Sequence, residues 1–305
     1  MRTDDAEPVA AILQAARLAN GGRPMITANH IAELFDVRLK DPDRDSWVYE
    51  STAGLLAAGW VEAPNPGGQR AYAGGGVHPD HWRRGIGRDL FGRQVGRIGE
   101  MHREHPEPPT WLIEKIFPLD GSAVERLVRR FGFVRERFFF DMSAPVGGPE
   151  PTYPEGLHVT AFDPDRMHDL YEVYVDTFTD HYGFEQEPFE AWRSEAVGTQ
   201  SFRPELTRLV FDGDDLIAFA TIYDMPSGTA YIGDLGTRRA YRRRGVAAAM
   251  LADIRRLAAA AGFEQVRLEA DADSWTGAVG VYERAGFARV TTDQMWLGEH
   301  SLAGG

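Results

Sequence analysis

The chain has 305 residues, of which 43% are hydrophobic and 26% charged, and its 33 Lys and Arg against 46 Asp and Glu give a formal net charge of −13. This length suits two domains of about 150 residues each, and the acidic balance argues against general nucleic-acid binding, which needs a basic face. It mildly favours a cationic or amine-bearing substrate. Because there is no cysteine, disulfides, thiolate metal sites and a cysteine nucleophile are excluded.

The location of the protein is predicted from two further features. No apolar run approaches the roughly 20 residues that a membrane helix needs, and the acidic N-terminus Met1-Arg2-Thr3-Asp4-Asp5 is unlike a signal peptide. We therefore expect a cytoplasmic protein that contacts neither membrane nor nucleic acid. The sequence does not predict an oligomeric state.

The first half reads as strands followed by helices. The apolar residues Leu90, Val95 and Ile98 form one face of a long helical stretch. In chain order, the predicted elements are strands at 47–50, 53–61 and 71–77, a helix at 85–102, a strand at 111–117, a helix at 123–131 and a closing strand at 137–142. Residues 143–154 are rich in proline and glycine, which predicts an interdomain connection.

The second half repeats this order. An amphipathic pattern predicts a helix at 165–179, and Asp212-Gly213-Asp214-Asp215 is a good hairpin turn. In chain order, the predicted elements are a strand at 157–160, that helix, a hairpin of 207–211 and 216–223, a strand at 229–237, a helix at 246–261, a strand at 265–270, a helix near 275–285 and a strand at 295–297.

A basic, glycine-bearing loop occurs once in each half. Each copy follows a predicted strand and opens a long helix, where unpaired amides and small residues can bind an anion. The copies are His81-Trp82-Arg83-Arg84-Gly85-Ile86-Gly87 and Tyr241-Arg242-Arg243-Arg244-Gly245-Val246-Ala247. Both halves also end alike, with Phe131-Gly132-Phe133 and Ala285-Gly286-Phe287 after a short helix. Internal duplication is the economical interpretation.

The second loop and the later segment 278–287 resemble the signatures of the GNAT superfamily of N-acetyltransferases, and the tandem layout resembles the mycothiol synthase family. The resemblance implies an α/β (α+β) fold of two tandem GNAT domains, each a mixed, mostly antiparallel central sheet flanked by helices. The predicted domains are residues 1–145 and 155–305.

The resemblance also implies a cofactor, acetyl-CoA or another acyl-CoA. Its pyrophosphate would lie on the loop amides and its pantetheine along the preceding strand. The implied residues of the second half are Arg242, Arg243, Arg244, Gly245, Val246 and Ala247 for the loop and Leu235, Gly236 and Thr237 for the strand. In the first half Val77, Arg83, Arg84, Gly85, Ile86 and Gly87 are compatible with the same role.

Catalysis is expected in the second half. By resemblance, Tyr282 would protonate the departing thiolate, and a phenol with a pKa near 10 is a suitable acid; the alternative is a core tyrosine beside Phe287. The corresponding residue of the first half is Val128, and Trp82 stands where the pattern expects arginine or glutamine. The first domain is therefore expected to be structural, or to bind cofactor without turnover.

The acceptor side is less defined. Asp234, on the strand before the loop, is the first candidate for the general base, with Tyr231 as an alternative; an exposed strand residue is an equal interpretation of Asp234. Asp180, His181, Tyr182 and Glu185 would border the acceptor pocket, or simply form a solvated helix end. No clustered ligand spacing around His181 indicates a metal site.

The leading hypothesis is an acetyl-CoA-dependent N-acetyltransferase that transfers acetyl directly to the amine of a small molecule. The alternative is a noncatalytic acyl-CoA-binding or interaction protein built on tandem GNAT folds.

Overall fold

The computed structural model describes residues 1–39, 41–52, 54–119, 121–274 and 277–302. Its helices are α1 (Ala6–Ala19), α2 (Ala28–Glu33), α3 (Pro42–Asp45), α4 (Ile86–Glu104), α5 (Ser122–Arg130), α6 (Met167–Phe178), α7 (Phe189–Val197), α8 (Val246–Ala260) and α9 (Ala278–Arg284). Its strands are β1 (Ser46–Ser51), β2 (Gly54–Glu62), β3 (Arg70–Val77), β4 (Thr110–Pro118), β5 (Val134–Pro145), β6 (Leu157–Thr160), β7 (Arg208–Asp212), β8 (Asp215–Met225), β9 (Thr229–Thr237), β10 (Gln265–Asp271) and β11 (Ala288–Ser301).

The chain divides into two compact units. Unit one comprises residues 1–138 together with 291–305, and unit two comprises residues 139–290. Residues 291–301 of the C-terminal strand β11 therefore belong to unit one, and residues 139–145 of β5 belong to unit two. These boundaries differ from the predicted domains 1–145 and 155–305.

Unit one is a mixed sheet with helices on both faces. Its strand order is β1-β2-β3-β4-β11, in which only β3 and β4 are parallel among the described pairs. Phe91 and Ile98 of α4 pack into one core with Trp111 and Ile113 of β4. A second core, on α1 and α2, is built around Val9, Leu13 and Ile31.

Unit two has the same plan. Its strand order is β6-β7-β8-β9-β10-β5, in which only β9 and β10 are parallel among the described pairs. Met250 and Ile254 of α8 lie in the larger core. Leu170 and Val173 of α6 form a second core with Trp192 of α7. The predicted fold, a mixed and mostly antiparallel sheet flanked by helices in each half, is confirmed.

The two closing strands are exchanged relative to the sequence prediction. The strand predicted at 137–142 pairs with β10, placing Met142 opposite Leu268. The strand predicted at 295–297 is part of the much longer β11 and pairs with β4, placing Trp296 opposite Lys115. Each inward side chain is fully buried in its unit's core, so core packing overrides proximity along the chain.

Other differences are smaller. The predicted connection at 143–154 begins inside β5, where Ala144 is buried. Helices α1, α2, α3 and α7 have no counterpart in the prediction. Ala53 and Trp275, at the ends of a predicted strand and helix, lie outside the described residues. Within the described ranges, no helix combines the length and apolarity needed to cross a membrane.

Candidate active site in unit two

The basic loop of unit two has a backbone shaped for an anion. Arg243 and Gly245 both adopt positive φ, 61° and 90°, and alternation of this kind turns successive amides toward one point. Helix α8 begins at Val246, and its first intrahelical donor is the amide of Ala249, which bonds the Gly245 carbonyl at 3.0 Å. The preceding amides therefore lie before the helical ladder, at the positive end of the helix dipole.

The predicted loop residues divide by role. Arg242 donates from Nε to the Thr237 carbonyl at 3.0 Å and so braces the loop against the end of β9. Arg243 and Arg244 are exposed, and the Arg244 guanidinium lies 5.2 Å from the Tyr241 ring centre. The Val246 side chain is buried in the core, so only its amide, with that of Ala247, can serve a ligand.

Unit one keeps this loop backbone. Arg83 and Gly85 have φ values of 62° and 85°, and α4 begins at Ile86, followed by Gly87. Trp82 donates from its indole Nε1 to the Val77 carbonyl at 2.8 Å, which is the bond that Arg242 makes to Thr237. The tryptophan is thus a replacement brace, and its substitution for arginine does not disrupt the loop.

The strands that lead into the loops differ by one residue. Gly74 and Gly233 are each four residues after the first parallel pair, and each lies beneath an aromatic ring, of Trp60 and Tyr223 respectively. Gly75 and Leu235 are each ten residues before the loop glycine. Unit two therefore has one additional residue, Asp234, between these equivalent positions, whereas Gly74 and Gly75 of unit one are consecutive.

This extra residue is a β-bulge. The pairing of β8 with β9 shifts between Ala220 and Ile222, whereas β2 and β3 pair in one continuous register. The Asp234 amide consequently bonds the Thr221 side chain, Oγ1, at 3.0 Å. Bulges redirect side chains at functional sites, and here the bulge presents a carboxylate.

Asp234 is suited to proton transfer at neutral pH. Its pKa is raised to about 6, mainly by burial; the hydrogen bond with Thr221 opposes this rise, and the negative charge of Glu187 adds to it. Burial raises the pKa of Tyr174 and of Tyr223, with the Asp234 charge as the next cause in both. A carboxyl with a pKa near 6 is ionised at pH 7 yet basic enough to accept a proton.

Tyr282 lies on α9 where the sequence predicts it. Its carbonyl accepts the Phe287 amide at 3.0 Å, and the Val128 carbonyl accepts the Phe133 amide at 3.1 Å in the same way, so the two positions are equivalent. Burial raises the pKa of Tyr282 to about 12, and its ring centre is 6.2 Å from that of Phe287. Within the described residues its hydroxyl has no hydrogen-bond partner.

The surroundings of the predicted acceptor residues differ from one residue to the next. Asp180 forms an ion pair with Arg239, next to the loop. The His181 ring lies 4.4 Å from that of Phe178, and burial followed by the Arg242 charge lowers its pKa. Tyr182 is exposed and Glu185 half-buried.

The alternative base, Tyr231, lies in another environment. It pairs with Arg267 across the parallel strands. Burial, followed by the charges of Glu269 and Asp141, raises its pKa well above the usual value. A phenol held protonated in this way is a poor base at neutral pH.

The residues beside Asp234 were missed by the sequence analysis. They are Thr221 and Tyr223 on β8, Tyr174 on α6, and Glu187 and Glu195, whose charges contribute to the raised tyrosine pKa values. The Tyr174 ring lies 5.5 Å from Trp192. No motif marks these positions; they converge only because α6 and α7 pack over the sheet.

The chain beyond the last parallel pair fits an acyl-CoA arm. The pairing of β9 with β10 ends at Ile232 and Leu268, while β9 continues through Leu235, Gly236 and Thr237. Thr237 Oγ1 is buried and has no hydrogen-bond partner among the described residues, an arrangement that awaits a polar ligand. No group of three His, Asp or Glu suited to a metal ion occurs in the described part of the chain.

Known proteins resemble both the second half and the whole of this chain. Residues 167–287 match the acetyltransferase (GNAT) family. The chain is 28% identical to a mycothiol acetyltransferase of Thermobispora bispora, over 96% of this chain and 95% of the relative. A mycothiol acetyltransferase of Geodermatophilus obscurus is 29% identical, with 94% and 92% covered.

Solved structures match over the full length. A GCN5-related N-acetyltransferase from Sphaerobacter thermophilus has a TM-score of 0.79 at 24% identity, covering 99% of this chain and 95% of that one. A tandem GNAT protein from the clavulanic acid biosynthesis pathway has a TM-score of 0.69 at 16% identity, with 100% and 98% covered. The matched segment and the two relatives together support an N-acetyltransferase of the GNAT type, and the duplicated fold supports a tandem, mycothiol synthase-like layout.

Proposed function

We propose that unit two transfers an acetyl group from acetyl-CoA directly to the amine of a small molecule, with Asp234 as the general base and Tyr282 as the general acid. The observation that carries this proposal is Asp234, a bulge residue with a pKa near 6 that unit one lacks. Acetyl-CoA supplies the reactive thioester when bound. The amides of residues 243–247 would hold its pyrophosphate, and Leu235 to Thr237 its pantetheine.

The proton steps follow from the two side chains. Asp234 accepts the proton that the acceptor ammonium must lose before its nitrogen can attack the thioester carbonyl carbon. As the carbon–nitrogen bond forms and the carbon–sulfur bond breaks, the Tyr282 hydroxyl would protonate the leaving thiolate. The surplus proton on the new amide nitrogen would return to the Tyr282 phenolate and restore the phenol, while Asp234 would release its proton to solvent. The phenol is protonated throughout the neutral range because its pKa is near 12.

An amine acceptor is supported by the surroundings of Asp234. Glu187 adds negative charge beside it, and the half-buried Tyr174, whose pKa the Asp234 charge raises, provides an aromatic wall; together they suit a cation. The relatives carry the name mycothiol acetyltransferase, so amines related to mycothiol are the first acceptors to test.

The test is a thiol-release assay with acetyl-CoA across an amine panel, with mass spectrometry of the product. We expect release that depends on an amine and yields its N-acetyl derivative. Binding of acetyl-CoA without acetylation of any amine on the panel would favour a noncatalytic role.

A further inference from the structure

Unit one has a gap between β3 and β4 at the place where β9 and β10 separate in unit two. Parallel pairing joins residues 70–72 of β3 to residues 112–114 of β4, and both strands continue beyond this paired segment. The Leu112 amide bonds the Gln69 carbonyl at 2.7 Å. Since alternate carbonyls of a strand point the same way, those of Ala73 and Gly75 also face the gap.

The ammonium of Lys115 occupies this position. The residue is 8% exposed, and its Nζ donates to the Ala73 carbonyl at 2.7 Å and to the Gly75 carbonyl at 3.2 Å. A pantetheine arm is an extended chain with two amides, and a strand edge holds such a chain through the same outward carbonyls. One buried side chain thus uses the acceptors that the arm would need.

The equivalent position of unit two cannot act in this way. Lys115 is three residues after Leu112, the first residue of its parallel pairing, and Leu268 is three residues after Gln265. Leucine has no donor, so Leu268 leaves the carbonyls of β9 unblocked. Unit one also lacks the bulge, because β2 and β3 pair in continuous register.

From these contacts we infer that Lys115 closes unit one to the pantetheine arm, so that the chain binds one acyl-CoA, in unit two, despite having two loops of the same shape. This inference rests on the proposed function only for the binding of acetyl-CoA by unit two. The ligand cleft of unit one is then filled by its own side chain.

Hydrogen exchange of the wild-type chain with and without saturating CoA tests this directly, together with calorimetric stoichiometry. We expect one CoA per chain and protection of peptides covering residues 233–248, with peptides covering residues 73–88 unchanged. Protection of residues 73–88, or two CoA per chain, would overturn the inference and leave the proposed function standing. Protection of neither segment would instead remove the proposed function.

Transplanting the lysine is the reciprocal test. Leu268→Lys should weaken CoA binding at least tenfold, while the matched variant Leu268→Met should bind as the wild type does. Lys115→Ala should add CoA-dependent protection at residues 73–77. The role given to Lys115 would be refuted by an unaltered CoA affinity in a folded Leu268→Lys chain, or by the absence of new protection in a folded Lys115→Ala chain. Thermal unfolding of each variant establishes that it is folded.

Discussion

Replacing Asp234 by asparagine should separate activity from stability. The change keeps the size of the side chain and its bonding with Thr221 but removes the base. General acid–base catalysis is typically worth 10²–10⁴-fold, so we expect kcat/KM to fall by about that factor in Asp234→Asn. The wild-type profile of kcat/KM should rise with pH and level off above about pH 6, the pKa of the carboxyl.

At neutral pH, Asp234→Asn should lower activity but raise the free energy of unfolding. Raising the pKa from 3.8 to about 6 means that the ionised carboxylate costs about 3 kcal/mol in the folded chain. Because the folded pKa is above the unfolded one, the contribution of Asp234 is fully present below about pH 4 and is lost as the pH rises through 6. From pH 4 to pH 7, the wild-type free energy of unfolding should therefore fall by about 2–2.5 kcal/mol relative to Asp234→Asn.

The assays are steady-state thiol release from pH 5 to pH 9 and denaturant unfolding from pH 4 to pH 7. Asp214→Asn, an identical change in the exposed turn between β7 and β8, is the matched control and should show neither effect. The reasoning is refuted if Asp234→Asn keeps kcat/KM within threefold of the wild type, or if its stability follows the wild-type pH dependence.

Three further outcomes follow from the same geometry. Tyr282→Phe should lower kcat at least tenfold without weakening CoA binding in calorimetry, and an unchanged kcat would make Tyr282 a packing residue. Gly245→Ala and Gly262→Ala both place a side chain at positive φ, 90° and 85°, with no atom in the way, so each should lower the free energy of unfolding by about 1–2 kcal/mol. Only Gly245→Ala should raise the KM for acetyl-CoA. An equal rise in both variants would show a general effect on the fold. Burial lowers the pKa of Lys115 to about 8, so above that pH the folded chain holds fewer protons than the unfolded chain. Between pH 7 and pH 10, the free energy of unfolding of the wild type should therefore rise by about 2–3 kcal/mol relative to that of Lys115→Met. The same pH dependence of unfolding in both proteins would contradict the burial of a charged amine.

Motifs that act through local backbone were predictable from the sequence. The loops at Gly85 and Gly245 and the position of Tyr282 follow from short-range spacing, and the structure places them as helix starts and on a short helix. The exchange of closing strands was not predictable, because β5 and β11 have similar apolar patterns and only pairing distinguishes Met142 from Trp296. The same limit applies to the bulge at Asp234 and to the Lys115 contacts, which depend on register across strands.

The central claim is that acetyl transfer takes place in unit two through Asp234 and Tyr282. The most direct measurement is the rate of N-acetyl product formation by the double variant Asp234→Asn/Tyr282→Phe, with CoA binding measured on the same sample. We predict a rate near the uncatalysed one while the variant still binds CoA. Wild-type turnover by this variant would contradict the account and place the chemistry elsewhere in the chain.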